Sequence, residues 1–238
     1  ILPTFGDVPI GSITTEAVRV WLSRVRNDSS ELQSAKAYRL LRAILNVAVS
    51  DAMIARNPCV ISGAGQEHSG ERPLATAEQI HQLAEAIRPH LRALVLLAAF
   101  GALRRGELFG LERRDLDLGA GQLSVQRQAI YLKDGTRKVT PPKSAAGVRT
   151  VSLPPFVVEA LEEHLATWTA AQPNSPVFVG ERGGPLGTVS LQTCFDEARR
   201  ATGLTQFTLH DLRHAGGTMA AWTGATTKEL MARLGHAT

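Results

Sequence analysis

The segment Gly101-Ala102-Leu103-Arg104-Arg105-Gly106-Glu107-Leu108 sets an arginine and a glutamate three residues apart. On a helix that spacing puts Arg104 and Glu107 on one face, where the carboxylate would hold the guanidinium in one orientation. Arg104 also follows an apolar run, where a charge is costly unless it is used; an ordinary surface ion pair has the same spacing. A second segment, 142–151, places Lys143 in a small-residue loop between two expected strands. Arg137, Lys138, Lys143 and Arg149 lie within thirteen residues that hold no acid, which reads as a projecting basic finger or as a solvated hairpin tip. The third segment is Thr208-Leu209-His210-Asp211-Leu212-Arg213-His214. Thr208 and Asp211 have capping-box spacing, which predicts His210 in the first turn of a helix with Arg213 on the same face. Free N–H groups and the helix dipole attract anions at such a terminus, so the motif reads as a phosphate site with its own proton-transfer group. Metal binding by His210 and His214 would lack a clear third ligand and has Arg213 between the pair. A plain structural N-cap is the remaining reading. Leu234-Gly235-His236 then closes the sequence with a helix-terminal histidine.

Those side chains need elements to hold them. Thr14 predicts an N-cap, with Val18, Trp21, Leu22 and Val25 following at helical spacing. Asn27-Asp28-Ser29-Ser30 breaks that helix, and a longer one carries Ala37, Leu41, Ile44, Leu45 and Ala48 on one face, ending before Asn57-Pro58. Residues 62–73 are small and polar and read as a linker between a domain at 1–61 and a second at 74–238. The capping box Thr76-Ala77-Glu78-Gln79 opens a helix with Ile80, Leu83 and Ile87. The stretch 94–100 is rich in Ala and Leu rather than β-branched residues and predicts a buried helix. One strand is expected from 123 to 131, a hairpin turn at Asp134-Gly135, a second strand to Thr140 and a third over 148–153. Helices are expected over 156–170, 191–201, 209–222 and 227–234. The fold class is α-rich α+β, with a small three-stranded antiparallel sheet in a mostly helical second domain.

Composition narrows the field. At 44% hydrophobic and 20% charged, the 238 residues can bury a core and are not a disordered tail. The longest apolar run, 93–103, is well short of the roughly 20 residues a membrane helix needs. No basic-then-apolar opening marks a secretory signal. Two cysteines, Cys59 and Cys194, form no framework or metal pattern, so a reduced, cytoplasmic chain is expected. Lys and Arg exceed Asp and Glu by 26 to 22, and 21 of the cations are Arg. Arginine's planar fork suits phosphate oxygens, which fits a nucleic-acid partner; GC-rich coding bias inflates Arg in the same way.

Taken in order, Arg-x-x-Glu, a hairpin Lys, His-x-x-Arg and Leu-Gly-His resemble the tyrosine recombinases, the phage integrase family. The stretches GALRRGELFGLERRDLDL, PKSAAGVRTVSLP, HDLRHAGGTMAAWTG and LGHAT carry the resemblance, which covers 76–238. It implies a site-specific DNA recombinase that cuts through a 3′-phosphotyrosine, with double-stranded attachment sites as partner and no metal or cofactor. Arg104 and Arg213 would clamp the scissile phosphate, with Glu107 as an acidic buttress. Lys143 would protonate the leaving 5′ oxygen, His210 would act as general acid/base, and His236 would hydrogen-bond the phosphate. Arg137, Lys138, Arg149 and Arg105 are the expected further DNA contacts. The family also implies a homo-tetramer in the synaptic complex, a directionality factor, and a place in the bacterial cytoplasm or nucleoid. Residues 1–61 resemble a core-binding domain from its middle onward, and the family's nucleophile follows Leu-Gly-His. An N-terminal part and the nucleophile segment are therefore expected outside these residues, leaving them unable to cleave. A type IB topoisomerase and a non-cleaving recombinase-like DNA-binding module are the alternatives.

Overall fold

In a computed structural model the described residues are 1–67, 73–222, 224 and 226–235. They separate into two compact units, Ile1–Arg72 and Pro73–Thr238.

The first unit is helical: α1 (Leu2–Phe5), α2 (Thr15–Asp28) and α3 (Glu31–Ser50). Thr14 caps α2 by accepting from the Ala17 N–H at 3.1 Å, and Ser30 caps α3 through the Gln33 N–H at 3.3 Å. The break expected over 27–30 shrinks to Ser29-Ser30, because Asp28 still belongs to α2. Tyr38, Leu41, Leu45 and Ala48 form the buried stripe of α3 against Val18, Trp21 and Leu22. Ile44 does not join them. It is 45% exposed, because at about 100° per residue it lies on the far flank of the helix from Tyr38 and Leu45. The first residues of the expected linker pack on this unit: Ala64 is buried, and Arg39 donates to the Gly65 carbonyl at 3.5 Å.

The second unit is built around α5 (Arg92–Phe100), in which every side chain from Ala93 to Ala99 is buried. Before it, α4 (Ala77–Ala86) opens with the expected capping box, Thr76 and Gln79 exchanging hydrogen bonds. After it come α6 (Arg105–Gly110), β1 (Leu116–Asp117), β2 (Gln122–Val125), β3 (Gln128–Tyr131), β4 (Arg137–Thr140) and β5 (Arg149–Ser152). The unit continues through α7 (Pro155–Thr167), α8 (Thr188–Thr202), α9 (Leu209–Trp222) and α10 (Thr227–Leu234). Among the described residues no helix is long and apolar enough to cross a membrane.

The class is α-rich α+β, but the strands divide differently from expectation. The three-stranded antiparallel sheet is β1-β2-β5, with Leu123 opposite both Leu116 and Val151. The hairpin β3-β4 is a separate two-stranded sheet, in register from Gln128↔Thr140 to Tyr131↔Arg137. The single strand expected over 123–131 is broken at Gln126-Arg127, where Arg127 pairs with Asp115 and reaches Glu112 at 3.3 Å. An ion pair on the flank of the sheet wins there over continued β pairing. The hairpin turn forms as expected, with Gly135 at φ +83° and Asp134 accepting from the Thr136 N–H at 2.9 Å.

Helix α9 crosses α5 at very short range. A Cβ added to Gly216 would lie 1.8 Å from the Ala99 carbonyl oxygen, whereas one on Gly217 would meet the Leu234 side chain at 3.4 Å. Two mid-helix glycines cost about 1 kcal/mol each relative to alanine, and Gly216 offsets that by letting the backbones touch. Gly216→Ala should therefore destabilise by about 3 kcal/mol through overpacking, and Gly217→Ala far less. Urea unfolding of both variants checks this; equal shifts in midpoint would contradict the crossing.

Candidate functional site

Helix α5 ends at Phe100, and the chain turns through Ala102, a non-glycine residue at φ +52°, before Arg104 takes the N-cap position of α6. From the third residue of that helix the Glu107 carboxylate reaches back. It accepts from the Arg104 backbone N–H at 2.8 Å and from Arg104 Nη1 at 2.9 Å. The spacing that suggested one shared helix face is thus realised as a helix-start pair.

Glu107 is 2% exposed and is ringed by further arginines. Arg149, at the start of β5, grips both carboxylate oxygens, Nη1 at 3.1 Å and Nη2 at 2.9 Å. Arg213, from α9, brings Nη1 to 3.8 Å. Burial pushes the carboxyl pKa up, but the Arg149 fork, the Arg104 N–H and the surrounding positive charge more than offset it, and the group ends below its ordinary value. Burial, with Arg104 and Arg149 as like-charged neighbours, pushes Arg213 down to about 10, against the pull of Glu107. It therefore remains a cation at neutral pH.

Arg213 is positioned by its helix. Thr208 and Asp211 form the expected cap, Asp211 accepting from the Thr208 N–H at 2.8 Å and from its hydroxyl at 2.6 Å. One turn later Arg213 is 3% exposed, and its guanidinium donates to the carbonyls of Ala102 and Leu234. His210 and Arg213 do not share an exposure: His210 stays at the surface while Arg213 turns inward. The His210 ring meets His214 edge-on at 4.4 Å. With Leu103, Arg105, Gln192, Thr208 and Leu209 it lines an open cleft of about 330 Å³. Among the described residues no cluster of three or more metal-ligating side chains accompanies that pair.

The end of α10 completes the site. Three successive carbonyls there each receive a different guanidinium: Arg233 from Arg149 Nε at 2.7 Å, Leu234 from Arg213, and Gly235 from Arg104 Nη2 at 3.2 Å. A helix C-terminus carries partial negative charge on unpaired carbonyls, so it suits cations. His236 lies outside the described residues.

Of the remaining expected residues, Lys143 is exposed on the loop between β4 and the short turn Ala145–Gly147. Lys138 and Arg105 are exposed, and Arg137 is half-buried with Nη2 on the Phe109 carbonyl at 2.8 Å. Arg149 departs from the expectation of a solvent-facing hairpin cation: its side chain is 5% exposed and held by Glu107. The alternation of β5 carries the signal for this, because Arg149 shares parity with buried Val151. The α10 carbonyls and the Ala102 carbonyl leave no such trace in the sequence. Among the described residues neither tyrosine hydroxyl has a hydrogen bond to Arg104, Arg149 or Arg213. Tyr38 accepts from the Ile61 N–H at 2.8 Å, and Tyr131 donates to the Leu186 carbonyl at 2.8 Å.

Arg104, with part of its side chain exposed and fixed from behind by a buried carboxylate, can offer N–H groups to a tetrahedral anion, and Arg213 lies buried against the same carboxylate. Removing the carboxylate charge leaves Arg149 buried and unpaired, so Glu107→Gln should cost about 3–5 kcal/mol at pH 7. A folded pKa below the unfolded value of about 4.3 makes the native carboxylate's contribution complete above that pH. It is lost as pH falls through the folded value. The two proteins should thus converge in stability in acid; a gap in urea midpoint that ignores pH would contradict the account.

The family model described as the phage integrase family matches residues 74–238. The prophage phiRv2 integrase of Mycobacterium tuberculosis is 40% identical over 242 residues, covering 100% of this chain and 64% of its own length. The integrase of Mycobacterium phage FRAT1 is 32% identical over 246 residues, covering 100% of this chain and 72% of its own length. The chain thus spans somewhat under two thirds of the phiRv2 relative. Among solved structures, the Tn1549 transposon integrase in complex with a circular intermediate DNA superposes with a TM-score of 0.83 at 22% identity, over 97% of this chain and 79% of that one. A lambda integrase dimer bound to a core site gives 0.70 at 20% identity, over 99% of this chain and 65% of that one. The helical fold with its small antiparallel sheets is shared with both. With the family model matching the whole of the arginine-bearing unit, the chain belongs to the phage integrase family of tyrosine recombinases.

Proposed function

We propose that this chain binds duplex DNA attachment sites and carries the phosphate-activating machinery of a site-specific recombinase. The observation that supports it most is the pair Arg104 and Arg213, one part-exposed and one buried, converging from α6 and α9 on Glu107. A tyrosine hydroxyl attacks the scissile phosphorus, the bond to the 5′ oxygen breaks, and a 3′-phosphotyrosine and a free 5′ hydroxyl result. The partner duplex's 5′ hydroxyl then reverses the step on a new strand. Charge grows on the non-bridging oxygens during attack, and Arg104 and Arg213 stabilise it. His210 takes the tyrosine proton and Lys143, on its exposed loop, gives one to the leaving oxygen. His236 completes the set of phosphate donors.

The nucleophile of this reading follows Leu-Gly-His and is neither Tyr38, which accepts from the Ile61 N–H, nor Tyr131, which donates to the Leu186 carbonyl. Residues 1–61 act as a core-binding domain and 74–238 as the catalytic domain. Lys138, Arg137 and Arg105 add phosphate contacts, and a homo-tetramer on two sites, biased by a directionality factor, completes exchange. The relatives named as integrases favour this over a topoisomerase, which would reseal the same strand.

Binding should weaken steeply with salt, log Kd changing by about 0.9 per unit of log salt for each phosphate neutralised; mobility shifts that ignore salt would sink the DNA reading. On a nicked suicide substrate the 238 residues alone should form no covalent adduct. In protein carried past Thr238 to its tyrosine, Arg104→Ala and Arg213→Ala should each slow cleavage by about 10²–10³-fold. Arg105→Ala should stay within a fewfold of wild type, and equal losses at Arg104 and Arg105 would refute the assignment.

A further inference from the structure

We propose that Arg149 is a positioning residue that joins the Lys143 loop, the Glu107 carboxylate and the end of α10 into one unit, so that Arg104 and Arg213 are aimed only while α10 is docked. The inference rests on the recombinase reading for its consequence but on hydrogen bonds for its content.

Arg149 spends its guanidinium on three separate pieces of chain. Nη1 and Nη2 fork onto Glu107, Nη1 also donates to the Gly147 carbonyl at 3.0 Å, and Nε donates to the Arg233 carbonyl at 2.7 Å. Gly147 closes the loop that bears Lys143, its Cα packed so tightly that an added Cβ would sit 2.4 Å from Pro142 Cβ. Arg233 begins the run of carbonyls whose next two members hold Arg213 and Arg104. One buried fork therefore sets the carboxylate that both clamp arginines lean on, and also the helix end that turns their outer nitrogens. Gly235 lies against the same group: a Cβ there would come within 2.9 Å of Arg149 Nη1. A lysine at 149 keeps the charge but offers one point of attachment in place of a planar fork.

The test has two arms. In the 238-residue chain labelled with 15N, guanidinium NMR should show the Nη–H signals of Arg104 and Arg213, the groups that are hydrogen-bonded, resolved and slowly exchanging. In Arg149→Lys they should broaden or exchange at least tenfold faster while the urea midpoint reports a folded protein. In the wild-type chain the Arg149 Nε–H should exchange together with the α10 amides, an observation that stands even where the variant does not fold. In protein carrying its tyrosine, Arg149→Lys should leave the DNA Kd within threefold and slow single-turnover cleavage at saturating DNA on the order of 10²-fold, the loss expected from misplaced groups. Unchanged Arg104 and Arg213 signals in a folded Arg149→Lys chain, separate exchange of Arg149 and α10, or full cleavage by the lysine variant would each overturn the proposal. A wild-type protein that never cleaves would instead overturn the recombinase reading, with the NMR arm still deciding the role of Arg149.

Discussion

A carboxylate that is 2% exposed can remain ionised only if charge and hydrogen bonds replace the water it has lost, and Glu107 is supplied with both. The Arg104 N–H ties it to the start of its own helix, the Arg149 fork ties it to the sheet, and Arg213 ties it to α9. Three elements distant in sequence are thereby fixed with respect to one small anion. Burial first, and the repulsion of Arg104 and Arg149 after it, lower the pKa of Arg213, and the carboxylate opposes both. Another anion entering this cluster meets cations already gathered at the expense of folding stability.

The arginines divide the work by exposure. Arg149 is spent inside the protein, and Arg213 is buried with one Nη on each of its two carbonyl partners. Arg104, with 34% of its side chain exposed, faces outward from the helix start. Behind them the close approach of Gly216 to the Ala99 carbonyl sets the distance between α5 and α9. That crossing carries Arg213 to the Ala102 turn, where an alanine in the left-handed region presents its carbonyl.

Much of this frame is legible in the residues. Helices α9 and α10 run over the expected ranges, because the caps at Thr208 and Thr226 and the apolar spacing that follows state their starts locally. The Arg104–Glu107 pairing follows from its spacing, although as a helix start rather than a shared face. What escaped was set by long-range partners. Arg127 breaks the expected strand because Asp115 and Glu112 lie beside it in space, and nothing in its neighbours in sequence announces that. Arg149 belongs by sequence with the exposed cations of the finger, whereas its parity with Val151 places it inward. The carbonyls at the end of α10 have no side-chain signature at all.

The separation of the strands into two sheets has a consequence for how such a protein can evolve. The Lys143 loop leaves β4 in one sheet and enters β5 in the other, and those two strands share no register. A residue gained or lost there would shift neither ladder, but it would fall on the turn itself, where the Gly147 N–H donates to the Ser144 carbonyl at 2.9 Å and the Val148 N–H to the Ala145 carbonyl at 3.1 Å. Lys143 is thus placed by that turn and by the pinch of Pro142 on Gly147, while the arginine six residues later stays anchored to Glu107. Selection on loop length therefore acts on the lysine's placement and on the Arg149 bond to Gly147, while the ladder registers on either side stay as they are.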